Sequence, residues 1–127
     1  MLGDVRLLWE IARDEITASI HRLKRTHGKA VELGNDTLAR AASLWLAQLE
    51  HIKGRIDSIL SHIDSTYYVH ESEACELLSL LDKLLFNIDL SHEKFLTEPL
   101  RRPLLLAKHA ASSHCYSARE NGVNITL

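Results

Sequence analysis

From Leu38 to Ile63, apolar residues recur at Leu38, Ala42, Trp45, Leu49, Ile52, Ile56, Ile59 and Ile63, in unbroken steps of four and three. An α-helix turns every 3.6 residues, so a strict spacing of 3.5 keeps one stripe on one side and imposes a left-handed drift. Such a seam has to be buried against other helices at the shallow angles of a left-handed bundle. The pattern predicts a helix of about 26 residues, roughly 40 Å long at 1.5 Å per residue. Gly54 lies inside it, off the seam.

The flanking segments repeat the theme. Val5, Leu8, Trp9, Ala12, Ile16, Ile20 and Leu23 form a helical stripe from Asp4 to about His27. Asp4 can cap its start, and Gly28 fits the left-handed position that ends helices. Gly34-Asn35-Asp36 reads as a turn and cap before the long seam. After a break at Asp64-Ser65, a third helix is predicted from about Glu71 to Leu90 on Ala74, Leu78, Leu81, Leu85 and Ile88. Glu71, Glu73 and Glu76 crowd its first turns, where negative charge suits the helix dipole. Ser91 begins a short turn through Leu96, and a last helix is expected from Thr97-Glu98-Pro99 to about Tyr116. Pro103 inside it has to kink that helix or reset its start. The tail after Asn121-Gly122 alternates Val, Asn, Ile, Thr and Leu, so residues 119–127 read as extended. The expected fold is all-α: one domain over 1–127, an antiparallel helical bundle of four main helices with one short extra turn or helix near 91–97.

Composition agrees with that reading. The 127 residues include 23 leucines, 46% hydrophobic residues, 5 Gly and 2 Pro. Those values exclude fibrous, low-complexity and disordered classes. No apolar run approaches the roughly 18 to 20 residues of a membrane span, and a chain this long can bury a core without staples. Cys75 and Cys115 are the only cysteines, too few for a disulfide framework. Cys75 sits on a helical apolar pattern and reads first as a buried inert thiol; a single Cys75–Cys115 disulfide is the alternative, with nothing in the sequence to support it. The first residues, Met1-Leu2-Gly3-Asp4-Val5, lack a basic stretch and an apolar run, so a reducing, intracellular, cytoplasmic setting is expected.

Charge is unevenly spread. Residues 1–56 carry 9 basic and 7 acidic residues, 57–98 carry 2 and 9, and 99–127 carry 4 and 1. The net of -2 excludes a protein that works by blanket phosphate neutralisation. Arg22, Lys24, Arg25 and Lys29, with Arg101 and Arg102, are candidate contacts for phosphates or an acidic partner.

Eight histidines are enough to raise the question of a metal or catalytic site. His51 and His62 are eleven apart, His109 and His114 five apart, and no Cys-x-x-Cys or His-Glu-x-x-His occurs, so no zinc set is assembled. No Glu has a His three positions later, which excludes the di-iron bundle pattern. Phosphate-cradling and nucleophile-elbow motifs are absent. No metal, cofactor or small-molecule substrate is inferred, and no catalytic residue is assigned.

His51-Ile52-Lys53-Gly54 resembles the His-x-x-Lys-Gly of histidine phosphotransfer domains, but Lys53 stands two residues on and points to another face. Arg22 and His27, spaced Arg-x4-His, resemble the motif of small helical RNases called HEPN domains, where an Arg steadies a phosphate and a His moves protons. Leu23 follows the Arg where that family usually has a polar residue. Arg55, Ser58 and His62 repeat the theme more loosely along one helix face.

The reading that follows is a non-catalytic interaction module, a small subunit that docks on partner proteins or on itself in a larger assembly. Leu77, Leu80 and Leu84 widen the third helix's apolar face beyond its stripe, and with Tyr67 and Tyr68 they are the candidate docking residues; Trp9 and Trp45 are further aromatic anchors. One alternative is a helical subunit of a ribonucleoprotein complex that contacts nucleic-acid phosphates through the basic clusters. The second is a HEPN-like RNase or toxin using Arg22 and His27.

Overall fold

The computed structural model describes residues 2–116, with side chains from Asp4 onward. Its helices are α1 (Leu2–Glu32), α2 (Asp36–Thr66), α3 (Glu71–Leu90), α4 (Lys94–Thr97) and α5 (Arg101–Ser113), with a 3-10 turn, Glu98–Leu100, leading into α5. The four main helices and the short one are those expected. The extended tail expected at 119–127 lies outside the described residues.

α1 and α2 are each 31 residues, about 46 Å long. α1 does not stop at Gly28 as expected. Ala30 is buried beyond it, and the helix runs through to Glu32. The left-handed position falls instead on Gly34, at φ +70°. There Asn35 N–H donates to Ala30 O at 2.8 Å and Gly34 N–H to Val31 O at 3.1 Å, the paired bonds of a Schellman ending. Asn35 then starts α2, its side chain accepting from Leu38 N–H at 3.1 Å. α2 likewise continues past Asp64-Ser65. Ser65 and Thr66 hydroxyls donate to His62 O, so these residues are accommodated in the last turn. Tyr67 stops the helix in a left-handed conformation, φ 65°, its N–H donating to Ile63 O. Pro103 resets the last helix rather than kinking it. It is the third residue of α5, where a missing N–H leaves no intrahelical bond unmade.

These glycines make a direct test of backbone cost. A Cβ at Gly28 or Gly54 meets nothing within 4 Å, and both positions are helical. Gly28→Ala and Gly54→Ala are each expected to raise unfolding free energy by about 0.5–1 kcal/mol in urea titration. Gly34→Ala should lower it by about 1 kcal/mol, because its positive φ strains any side chain.

Consecutive main helices run antiparallel and close into a ring. Arg6–Asp64 (2.6 Å) and Lys24–Glu50 (3.8 Å) pair α1 with α2. Arg55–Glu76 (3.0 Å) joins α2 to α3, and Lys108–Asp82 (2.9 Å) and Arg101–Asp89 (2.7 Å) join α3 to α5. The Trp9 and His114 rings, 6.0 Å apart, bring the end of α5 back to α1. Inside the ring, the α2 seam is buried at Ala42, Leu49, Ile52, Ile56, Ile59 and Ile63, against Trp9, Ile16, Leu23, Leu77, Leu81, Ile88, Leu100 and Leu104. Leu38 and Trp45, at the α1–α2 turn end of the seam, are only partly covered. No helix among the described residues is long and apolar enough to cross a membrane.

The cysteines overturn the expectation of an inert thiol. Cys75, in the second turn of α3, and Cys115, just beyond α5, form a disulfide with Cα atoms 4.9 Å apart. The antiparallel pairing of α3 and α5 brings together positions 40 residues apart in sequence, which no local pattern signals. Disulfides persist in oxidising compartments and are rare in reducing ones, so the reading of a reducing, cytoplasmic setting loses its support.

Candidate functional site

The α2–α3 seam is closed at one end and open at the other. At the closed end Arg55 pairs with Glu76, and His62 Nδ1 lies 2.8 Å from Glu73 Oε1, without the alignment of a hydrogen bond. Toward the start of α2 and the end of α3 no ion pair crosses between the two helices among the described residues. A groove of about 400 Å³ occupies the gap. Trp45 and Leu84 contribute its floor; Leu44 and Gln48 line it from α2, and Asn87 and Leu90 from α3, with His92 and Glu93 where the chain leaves α3. Leu44 is 65% exposed and Leu90 62%, so the groove opens broadly to solvent. Phe86, one turn before Leu90 on α3, is 61% exposed beside the groove without lining it.

This is a row of large apolar side chains that the fold leaves uncovered next to a partly buried tryptophan. Exposed apolar patches rimmed by polar groups mark binding sites, and aromatic anchors dominate their energetics.

The residues singled out from sequence are divided by the fold. Leu77 and Leu84 are buried core residues, and Leu80 packs against that core, so the wide leucine face of α3 is mostly interior. Of the three, only Leu84 also reaches the groove. Tyr67 and Tyr68 are exposed, but they sit in the α2–α3 connection, at the closed end of the seam. There the Tyr68 and His70 rings lie 5.1 Å apart and those of His70 and His62 4.7 Å apart. Trp9 is fully buried, whereas Trp45 lines the groove.

The basic residues do not form one surface. Lys24 faces Glu50 on α2. Arg101 donates to Glu98 and Asp89; the Arg101 hydrogen bond holds the Glu98 carboxyl below its usual range, and the same bonds raise the guanidinium's own pKa. Its charge is thereby engaged within the chain. Arg22 donates to Ser19 Oγ at 3.1 Å and lines a small crevice with Thr26, Phe95 and Pro99. Arg25, Lys29 and Arg102 are exposed and unpaired among the described residues. Arg22 and His27 do not share a face, since five helical steps turn the chain by about 140°. Among the described residues no group of three or more His, Cys, Asp or Glu is arranged to hold a metal ion.

Leu44, Phe86 and Leu90 were not among the candidates from sequence. Their signal is nonetheless present: Leu44 falls off the seam beside Trp45, and Phe86 and Leu90 stand one turn apart outside the α3 stripe. Comparison of the chain with protein-family models, with curated proteins and with solved structures found no match.

Proposed function

We propose that this chain is a non-catalytic helical module that docks on a partner protein through the groove between α2 and α3. The observation that carries the reading is the exposure of Leu44 and Leu90 on the two banks of a gap floored by Trp45. Leaving two leucines and a neighbouring phenylalanine in water gains the bundle nothing, whereas covering them stabilises a complex by roughly 25 cal/mol for each Å² removed from water. A rigid pair of banks also spares a partner the expense of ordering the site.

The reading is tested in the living cell by placing the photo-crosslinking amino acid p-benzoylphenylalanine at position 44 or 90. Discrete adducts are expected at both, with none from the same group at Ala18 on the exposed face of α1. An identical adduct pattern from all three positions, or adducts from Ala18 alone, would show that this groove is not the docking surface.

A further inference from the structure

Resting on that reading, we propose that the occupant of the groove is an amphipathic helix whose apolar stripe is flanked by acidic residues on both sides. The first argument is size. The α2 bank from Ala41 to Gln48 is eight residues, about 11 Å from first to last, which matches two turns of a helix. A helix laid in such a slot presents anchors at i, i+3 or i+4, and i+7, and Trp45 and Leu84 are among the apolar residues lining it. An extended strand is not favoured, because both banks are helical and offer no free backbone edge.

The second argument is charge. Arg40 stands one turn before Leu44 on the same side of α2, and Lys83 one turn before Asn87 on the same side of α3. Both are exposed, and neither has an ion-pair partner among the described residues. Arg6, Arg13, Lys24, Lys53, Arg55, Arg101 and Lys108 have a carboxylate within 4 Å, whereas Arg40 and Lys83, like Arg22, Arg25, Lys29, Lys94 and Arg102 away from the groove, have none among the described residues. His51 follows Gln48 on the α2 bank, and His92 lies at the end of the groove. Glu93 is the only acid among the residues that line it. Each bank therefore carries a cation not neutralised by the chain itself, although the α3 region is acidic in total. Acids on both flanks of an incoming helix meet Arg40 on one side and Lys83 on the other, which sets orientation and speeds association.

The chain has an acid-flanked stripe of its own. Leu7 and Ile11 are exposed on α1 beside Asp14 and Glu15. That helix is already packed between α2 and α5, so in a second copy it would bring its neighbours against the banks of the groove. A free helix has no such obstruction, and the partner is assigned to it.

The test uses the full chain and three synthetic 18-residue helices with the same leucine stripe, flanked by Glu, Gln or Lys. Binding is read from Trp45 fluorescence, since Trp9 is fully buried. The Glu helix is expected to bind at least about tenfold tighter than the Lys helix at low ionic strength, with the ratio collapsing at 0.5 M salt. Arg40→Glu with Lys83→Glu should reverse the order, and Leu44→Glu should remove binding. All three substitutions are at exposed positions, and circular dichroism checks that the helices persist.

Equal binding of the Glu and Gln helices, or preference for Lys, would overturn the charge argument and leave the docking reading standing. The same holds if no helix binds while crosslinks from positions 44 and 90 persist. A light-scattering mass of two chains, returned to one by Leu44→Glu, would make a second copy the occupant and overturn the assignment. Loss of both helix binding and crosslinks would remove this inference together with the reading beneath it.

Discussion

Opening the Cys75–Cys115 disulfide is expected to lower the unfolding free energy by about 4 kcal/mol. The bond closes a loop of 40 residues. In the chain-entropy account, a cross-link of that span removes about 13 cal/mol/K from the unfolded ensemble, which is about 4 kcal/mol at room temperature. That is a large share of the 5–15 kcal/mol that holds a typical domain together. α5 has only 13 residues, too few to persist alone in water, and its far end is tied down by this bond and by the tilted approach of the His114 ring to Trp9. The measurement is urea unfolding of the oxidised chain against the chain held in dithiothreitol, repeated on Cys75→Ala with Cys115→Ala. The melting temperature should fall by roughly 15 °C in both cases. Faster amide exchange should appear first in the last turn of α5, ahead of the centre of α2. A difference below about 1 kcal/mol would mean that the unfolded chain is already compact enough to bring these cysteines together, and would remove the bond from the account of stability.

How far this molecule could be read from its residues depends on the range of the interactions involved. The α2 seam was legible because burial acts on every third and fourth residue, and one long stripe has few ways to be satisfied. α3 was legible to the residue, from its acid-rich start to Leu90, because Ser91 and the charged turn beyond it interrupt the pattern. Helix ends were harder. Gly28 has the chemistry of a C-cap, but a glycine is tolerated in a helix at about 1 kcal/mol, and the burial of Ala30 outweighs that. The pairing of Cys75 with Cys115 depends on the register of α3 against α5, which the periodicity of either helix alone leaves open. The burial of the α3 leucines among the docking candidates has a related reason. A helix with leucines at 77, 78, 80, 81, 84 and 85 looks overly apolar in isolation, yet α3 touches both α2 and α5, and two neighbours cover a wide arc. The groove arises where that coverage ends. Finding it requires knowing that α2 and α3 are clasped at Glu73 and Glu76 and not at Trp45, a fact about helix pairs rather than about any one helix.

Leu77→Ala is expected to destabilise the fold by about 3 kcal/mol, and Leu90→Ala by less than about 0.5 kcal/mol. Leu77 is fully buried in the core cluster with Leu81 and Ile88, so truncation removes contacts and leaves a cavity that the packed helices cannot fill. Leu84→Ala should resemble Leu77→Ala, because its side chain is equally enclosed even though one edge reaches the groove. Leu90 is mostly in water, and its loss should leave urea and thermal midpoints almost unmoved while weakening crosslinking from position 44. The contrast separates two uses of the same residue type on one helix. If α3 were a docking helix over its whole apolar face, Leu77→Ala would spare stability and abolish partner adducts. If the division between core and groove holds, urea titration of Leu77→Ala shifts strongly, and its residual folded fraction still crosslinks through position 44. A Leu90→Ala variant that unfolds as readily as Leu77→Ala would place Leu90 inside the core, and the groove would then be part of the bundle's own packing.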